Sequence, residues 1–281
     1  MKLLMKAVGL FAILLFLPAF GSGERLFAPG SKLWDRWQAH DAGSIKSIDH
    51  SAWSALLSTH LAPASSGVAM FDYAGLKASN GDKQALQGYL DTLAAAPVST
   101  LNRDEQFAFW VNLYNALTVK VVLDHYPVAS IRDIDISPGL FGSGPWGKKL
   151  VTVEGEDLTL NDIEHRILRP IWNDPRIHYA VNCASIGCPN LKPDAWTAKA
   201  LDADLDAAAR AYVNDPRGVS IVDGKIVVSR IYDWFLEDFG DSEAGVLAHL
   251  RVYADASLKA DLERIGALSS TDYDWSLNET R

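Results

Sequence analysis

The two cysteines of the chain lie close together, in the segment IHYAVNCASIGCPNL. Cys183 and Cys188 are five positions apart, and His178 stands shortly before them. A cysteine thiolate attacks a carbonyl carbon when a histidine takes its proton and a carboxylate or amide orients that histidine. We therefore expect a catalytic site here, with Cys183 or Cys188 as the nucleophile and His178 or His165 as the base.

Small residues around Ser185 follow the first cysteine, and Pro189 ends the stretch. They allow a tight turn in which a substrate can approach backbone N–H groups closely, as an oxyanion hole requires. Residues 177 to 182 are predicted to form a strand, which would point Asn182 to the same side as His178. Asn182 and Ser185 are therefore candidate substrate-binding residues.

Two other fates remain open for Cys183 and Cys188. In an oxidising compartment a cysteine pair usually forms a disulfide, and a bond between these two would close a short loop. Metal binding is the third alternative, but the spacing matches no common zinc pattern, so we expect no metal. The distance between the two sulfur atoms decides between a disulfide and a nucleophile.

A long helix is predicted from Arg103 to His125, and it is apolar on almost every side, which is typical of a helix buried in a core. Glu105, Asn112 and Asn115 interrupt its apolar surface. Buried polar side chains cost roughly 1–3 kcal/mol each when unsatisfied, so these three must have partners. Either they bind loop backbone and hold the tertiary structure, or Glu105 orients the catalytic histidine and the two asparagines bind the substrate.

A second helix, predicted over residues 161 to 171 with Thr159 or Asn161 as its cap, contains Glu164 and His165. Consecutive helix residues point about 100° apart, so these two cannot both face one site squarely. Glu164 is a candidate substrate-binding residue and His165 a candidate base. The alternative is that His165 is structural and Glu164 a solvated charge.

The elements that must position these side chains indicate an α+β fold, a mainly helical single domain with short antiparallel hairpins. Turn residues between periodic segments define the remaining elements, and the Gly- and Pro-rich stretch at 137–145 is predicted to be a lid-like loop. The other predicted helices lie within residues 31–61 and over residues 82–95, 201–213, 230–239 and 243–265. The predicted strand and hairpins span 68–73, 149–158 and 219–228.

Residues 1–21 are predicted to be a signal peptide, because a basic start and an apolar run precede small residues near Gly21. The run is too short to favour a stable membrane span, and an uncleaved anchor helix is the alternative. Residues 22–281 would then form one periplasmic or secreted domain. The net charge of −9 and the lack of a Lys/Arg cluster disfavour nucleic-acid binding. No phosphate-binding motif is present, so we expect no cofactor.

Three segments together resemble the domain-of-unknown-function 547 family. They occur in the family's order between about residues 71 and 212, and they read FAFWVNLYNALTVKVVL, LNDIEHRILRP and DPRIHYAVNCASIGCPNLKPDAWTA. The resemblance implies an enzyme similar to cysteine peptidases of the papain type or to transglutaminases, with a Glu, a His and a Cys as its triad. It also implies binding of small thiol peptides such as glutathione.

These observations predict a thiol-dependent hydrolase or transferase that acts on peptide or amide bonds in the bacterial periplasm. The alternative is a periplasmic binding protein for a small peptide or thiol ligand, with Cys183 and Cys188 joined as a disulfide. A third hypothesis is a scaffold without a ligand, in which the polar residues of the long helix only satisfy buried backbone groups.

Overall fold

The computed structural model describes residues 28–63, 67–139 and 144–280. Its helices are α1 (Ser51–His60), α2 (Tyr73–Ala78), α3 (Asn80–Ala94), α4 (Arg103–His125), α5 (Arg169–Trp172), α6 (Ile177–Ala180), α7 (Leu201–Val213), α8 (Ile231–Trp234), α9 (Glu243–Tyr253) and α10 (Ala256–Ile265). Its strands are β1 (Leu61–Pro63), β2 (Ala69–Phe71), β3 (Val151–Val153), β4 (Glu156–Leu158), β5 (Val219–Val222), β6 (Lys225–Ser229) and β7 (Leu268–Asp272). A π-helix, Asp162–Leu168, leads directly into α5.

Helix α4 is the centre of the larger core, and its predicted bounds are confirmed. The side chain of Asn102 caps its start by accepting a hydrogen bond from the N–H of Glu105 at 3.0 Å. Its end lies just before Pro127, which cannot continue a helix. Nearly every side chain between Gln106 and Leu123 is buried, so the helix packs on all sides.

Apolar side chains form two clusters that α7 connects. The larger cluster surrounds α4 and includes α1, α3 and the β3–β4 hairpin. The smaller one packs α9 against the sheet β5-β6-β7. Leu201 and Leu205 of α7 lie in the first cluster, and Tyr212 and Val213 lie in the second. The fold is therefore the mainly helical α+β domain that was predicted.

The predicted hairpins are confirmed, since β3 pairs with β4 and β5 with β6, both antiparallel. Asp223 and Gly224 connect β5 to β6 with φ angles of 50° and 71°, as a type I′ turn requires. The predicted strand near residue 70 is β2, which pairs with β1. Strand β7 was not predicted. It pairs with β6 in parallel, and the residues that follow it form backbone hydrogen bonds with the cysteine segment.

The predicted strand over residues 177–182 is wrong, because Ile177–Ala180 form the single helical turn α6. The N–H of Tyr179 donates to the carbonyl of Arg176 at 3.0 Å, and the N–H of Val181 donates to that of Ile177 at 3.2 Å. All four side chains of α6 are buried. Alternating residue types therefore do not mark two faces of a strand here, since neighbouring elements cover the segment on every side.

Three further predicted helices are modified. The helix predicted from residue 161 begins as the π-helix, and of its two predicted caps the hydroxyl of Thr159 accepts from the N–H of Asp162 at 3.0 Å. The helix predicted over 230–239 breaks after α8 into a short 3₁₀ turn, Leu236–Phe239. The one predicted over 243–265 breaks into α9 and α10, where Asp255 caps α10.

Residues 1–21, predicted to be a signal peptide, lie outside the described residues, as do residues 140–143 of the predicted lid loop. In the part of the chain that the structure describes, no helix is both long enough and apolar enough to cross a membrane.

Candidate functional site

A cavity of about 660 Å³ opens beside the cysteine segment. Its volume suits a small molecule or part of a peptide. Its lining includes three groups of side chains: the cysteines Cys183 and Cys188; the polar group Glu164, His165 and His178; and the aromatic group Trp146, Trp234, Tyr273 and Trp275. The structure thus brings both cysteines and both candidate bases to one cavity.

Cys183 and Cys188 are free thiols, and their sulfur atoms are 3.0 Å apart. A disulfide bond would bring them to about 2.05 Å. The thiol and the backbone N–H of Cys183 both donate to the sulfur of Cys188 at 3.0 Å. When Cys183 is ionised, the thiol of Cys188 becomes the donor. The hydroxyl oxygens of Tyr273 and Ser185 lie 3.0 and 3.3 Å from the sulfur of Cys183. The site therefore holds a hydrogen-bonded dithiol.

The two thiols differ in acidity. The pKa of Cys183 is lowered below its usual value, chiefly by the hydrogen bond from Cys188 and further by those from Ser185 and Tyr273. Together these three hydrogen bonds outweigh burial, which by itself would raise the pKa. Burial raises the pKa of Cys188 well above its usual value, and the neighbouring Cys183 raises it further. Cys183 is also the more exposed of the two. It is therefore the thiol that forms the thiolate.

Tyr273 is suited to support that thiolate. Burial raises the pKa of its phenol well above the usual range, and the charge of Cys183 raises it further. The phenol therefore keeps its proton and can donate it to the sulfur of Cys183. Its oxygen also lies 2.9 Å from the hydroxyl of Ser185, so the two hydroxyls form one network.

Asn115 and Asn182 hold the start of the cysteine turn, which comprises residues 182–189. The side chain of Asn115 donates to the carbonyl of Ala180 at 2.9 Å and accepts from the N–H of Asn182 at 2.8 Å. The side chain of Asn182 then accepts from the N–H of Ala184 at 2.8 Å and donates to the carbonyl of Pro189 at 2.7 Å. Both asparagines therefore position the turn, and neither is among the residues that line the cavity.

The far side of the turn is held by residues that follow it in the chain. The hydroxyl of Tyr212 donates to the carbonyl of Gly187 at 2.6 Å, and Arg217 donates to the carbonyl of Cys188 at 3.0 Å. A Cβ atom at position 187 would lie only 2.8 Å from the backbone nitrogen of Asp274. The C-terminal chain is thus packed so closely against the turn that only glycine fits there.

Most of the amides expected to form an oxyanion hole are already engaged. The donors, with acceptors in parentheses, are Cys183 (sulfur of Cys188), Ala184 (side chain of Asn182), Ile186 (carbonyl of Ser276), Gly187 (carbonyl of Asp274) and Cys188 (carbonyl of Ser185). These five N–H groups could stabilise an oxyanion only by giving up their present acceptors, which costs energy in a buried site. The predicted contribution of these amides is therefore not available in this arrangement.

His178 is oriented by Asp238, which the sequence did not indicate. Its Nε2 lies 2.6 Å from Oδ2 of Asp238, and its Nδ1 lies 3.7 Å from Oε1 of Glu164. Arg169 donates to the same oxygen of Asp238 at 2.6 Å. Burial opposes ionisation of Asp238, but the hydrogen bonds from His178 and Arg169 prevail and lower its pKa to about 2. The ring of Phe235 stacks on His178 with centroids 4.3 Å apart and fixes its plane.

His165 is a poor base in this site. Burial lowers its pKa to about 4, so the imidazole is neutral at pH 7. Arg169, which can only donate, binds its Nδ1 at 3.0 Å, so the remaining proton lies on Nε2. That nitrogen is 4.0 Å from Oε2 of Glu164. Among the described residues, no group of three or more His, Cys, Asp or Glu side chains is arranged to hold a metal ion.

Glu105 and Asn112 do not line the cavity. The carboxylate of Glu105 accepts from the N–H of Ile48 at 3.4 Å, and burial raises its pKa. From that place it does not orient His178, a role that Asp238 fills. Asn112 binds both backbone groups of Trp196, donating to its carbonyl at 2.8 Å and accepting from its N–H at 3.0 Å. Asn112 therefore holds loop backbone, as the structural alternative predicted.

The aromatic group of the cavity was missed at the sequence level. Trp234 and Trp275 are 5.5 Å apart, and Tyr273 lies 4.7 Å from Trp275, measured between ring centroids. One signal could have found them, because the tripeptide Tyr-Asp-Trp occurs twice, at residues 232–234 and 273–275. No comparable signal connects Asp238 to His178, which lies 60 positions earlier in the chain.

Residues 98–213 match a protein-family model described as "Protein of unknown function, DUF547". Comparison with curated proteins and with solved structures gives no match. The expected kinship with papain-type peptidases or transglutaminases therefore stays a prediction. The matched residues include the π-helix, α6 and the cysteine turn, which together supply both cysteines, Glu164, His165 and His178. The similarity to the DUF547 family therefore extends over residues 98–213 of the chain.

Proposed function

We propose that this protein is a thiol-dependent hydrolase or transferase acting on peptide or amide bonds in the bacterial periplasm, with Cys183 as its nucleophile. The observation that supports this most strongly is the set of donors around one sulfur atom at the cavity. Cys188, Tyr273 and Ser185 all lie within 3.3 Å of the sulfur of Cys183. A thiolate stabilised in this way at a cavity wall is a nucleophile.

In the proposed reaction the sulfur of Cys183 attacks the carbonyl carbon of the substrate and forms a tetrahedral intermediate. Asp238 binds Nε2 of His178, which leaves Nδ1 as the nitrogen that can take and return a proton. At this nitrogen His178 would take the proton of the Cys183 thiol and give it to the leaving amine as the C–N bond breaks. Glu164, 3.7 Å from that nitrogen, would stabilise the charge that develops on it. Water or a second amine then releases the acyl group from Cys183.

The role of Cys183 is tested by alkylating the folded, reduced protein with limiting iodoacetamide over a series of pH values and mapping the labelled peptide. We expect Cys183 to react with a midpoint below about 8.5, the pKa of an ordinary cysteine. Cys188 should stay unlabelled in Cys183→Ser, because it is buried and its pKa is raised. If Cys183 does not react in the folded protein, the nucleophile hypothesis is wrong.

The role of His178 is tested with peptide amides that release a fluorescent amine. Turnover should be lost in Cys183→Ser and His178→Asn. Turnover should be kept in the control variant Asp174→Asn, which weakens the partly buried ion pair between Asp174 and Arg176. Equal loss in Asp174→Asn would mean that turnover reports folding. Location is tested by cell fractionation, in which a chain without residues 2–21 should remain in the cytoplasm.

A receptor for a small peptide or thiol ligand is the second candidate function. It is favoured by the engagement of five turn amides, because a receptor does not need free N–H groups to stabilise an oxyanion. Titration calorimetry with reduced glutathione tests it. Saturable binding that persists in Cys183→Ser, together with no turnover of any amide, would favour the receptor.

A further inference from the structure

Cys188 has no task in the proposed acyl-transfer reaction beyond its hydrogen bond with Cys183, in which it is the donor once Cys183 is ionised. Its side chain is nevertheless held against the nucleophile, with the two sulfur atoms 3.0 Å apart. It lies deeper than Cys183, with only 4% of the residue exposed. An outer thiol that is acidic, paired with an inner thiol that is not, is the arrangement needed to cleave a disulfide in two successive steps.

We propose that the Cys183–Cys188 pair carries out thiol–disulfide exchange, reducing a small disulfide that enters the aromatic-lined cavity. This activity shares the nucleophile Cys183 with the proposed function but needs Cys188 in addition. It does not depend on His178, on Asp238 or on an oxyanion hole.

The first step joins Cys183 to the substrate. The thiolate of Cys183 attacks one sulfur of the substrate disulfide, the S–S bond of the substrate breaks, and the other half leaves as a thiolate that takes a proton from water. In the second step Cys188 loses its proton, and its sulfur attacks that of Cys183. The second half of the substrate leaves as a thiol. The substrate gains two electrons and two protons, and the protein holds a Cys183–Cys188 disulfide that a dithiol reductant must reopen.

The contacts around Cys188 support the second step. The N–H of Cys183 donates to the sulfur of Cys188, and this bond stabilises the thiolate that Cys188 must become. The neighbouring Cys183 raises the pKa of Cys188, and that contribution disappears once the sulfur of Cys183 is covalently bound. Closing the pair requires the sulfur atoms to approach by only about 1 Å.

The cavity indicates the class of disulfide. Trp234, Tyr273 and Trp275 offer stacking surfaces beside Cys183, and Arg132 lies over the ring of Trp275 at 5.3 Å. Flat or apolar groups bind such rings, and a guanidinium at the rim binds a carboxylate. We therefore expect small disulfides with an apolar body and an acidic group. A folded protein disulfide would not enter a cavity of about 660 Å³.

The probe for the test is 5,5′-dithiobis(2-nitrobenzoate), an aromatic disulfide with carboxylate groups, added in slight excess to the folded, reduced chain. Released aryl thiol is followed by absorbance, and the intact mass of the protein is measured at the end. The wild-type chain should release two equivalents of aryl thiol and end about 2 Da lighter, without an adduct. Cys188→Ser should release one equivalent and keep the aryl group on Cys183, and Cys183→Ser should release none while folded.

Each other outcome has a definite meaning. A wild-type chain that keeps one adduct on Cys183 overturns the exchange activity and leaves the nucleophile hypothesis standing. A chain with two adducts overturns it as well, because Cys188 then reacts with the probe and not with Cys183. No release from the folded wild-type chain overturns both proposals. These results come from the wild-type chain alone, so a poorly folded Cys188→Ser variant would not obscure them.

Discussion

Asn115 and Asn112 form a matched pair on helix α4, and replacing each with alanine separates positioning of the cysteine turn from general stability. Each side chain makes two hydrogen bonds to backbone groups of a distant segment. Asn115 binds Ala180 and Asn182, immediately before Cys183, whereas Asn112 binds Trp196. Only the first variant should therefore disturb the site.

The expected loss of stability is similar for the two variants. Each leaves one buried carbonyl and one buried N–H without a partner, at roughly 1–3 kcal/mol per group, so the free energy of unfolding should fall by about 3 kcal/mol. For a chain of this size, that corresponds to a Tm lower by roughly 6–12 °C. Both variants should remain folded at room temperature.

Reactivity of Cys183 should differ between them. In Asn115→Ala the backbone before Cys183 loosens, and the 3.0 Å contacts of its sulfur with Cys188 and Tyr273 weaken. Losing about 1 kcal/mol of thiolate stabilisation corresponds to alkylation that is roughly 5-fold slower at a fixed pH below the midpoint. Asn112→Ala should react at the wild-type rate.

The assay combines thermal unfolding followed by circular dichroism with the rate of iodoacetamide labelling at Cys183, measured well below either Tm. Equal slowing in both variants would mean that labelling reports overall stability and would refute the positioning argument. So would an Asn115→Ala variant whose Tm falls while its labelling rate does not change.

Three other outcomes concern charge and protons. The free energy of unfolding should decrease as the pH falls from about 6.5 to about 4, because the unfolded chain binds protons at histidines that stay neutral in the folded chain. Equal stability against urea at about pH 7 and about pH 5 would contradict this expectation. The histidines whose pKa burial lowers to about 4 are His50, His165 and His249. The pKa of Asp238 is depressed from 3.8 to about 2, so its stabilisation is complete above pH 4 and disappears as the pH falls towards 2. Since the side chain is 15% exposed, solvent screening leaves about 1–2 kcal/mol, which Asp238→Asn should lose in urea titrations at pH 7 and not at pH 2. Tyr273→Phe should raise the midpoint of Cys183 alkylation by about 1 pH unit, whereas Tyr126→Phe, which removes a hydroxyl bound to Glu279, should leave it unchanged.

Local patterns in the sequence were enough to predict the elements whose ends have local causes. The bounds of α4 and α7 follow from apolar spacing and, for α4, from the capping residue Asn102 and the nearby Pro127. The β5–β6 hairpin follows from Asp223-Gly224, because those residues accept positive φ. These features depend on residues within one turn of each other, so no knowledge of the rest of the chain is needed.

The structure brings the cysteine segment to a cavity together with His165 and His178, but it does not bring Glu105 there. Glu105 was a reasonable orienter for a histidine because it stands in a buried helix, yet its carboxylate binds Ile48. Asp238 orients His178 from 60 positions further along the chain. Residue types and spacing cannot rank such distant carboxylates, since the choice depends on how α6 packs beside the segment that follows α8.

The family match covers only some of the residues that surround the cavity. Residues 98–213 include the cysteines, Glu164 and both candidate bases, whereas Asp238, Tyr273 and the two tryptophans near them lie beyond residue 213. The C-terminal segment reaches the site because β7 joins β6 in parallel and the following residues bind the cysteine turn. Five of the twenty described residues that line the cavity thus come from the chain beyond residue 213, which the motifs do not cover.

The candidate cysteine segment, the buried helix α4 and the fold class followed from the sequence, because cysteine spacing and helix periodicity depend on residues that are close together in the chain. Whether the thiols are bonded, which of them is acidic and which carboxylate orients His178 were decided by the tertiary structure alone. Each depends on distances of about 3 Å between groups that are remote in sequence. Hydrogen bonding and desolvation, which set the pKa values of Cys183 and Cys188, exist only once those groups are packed together.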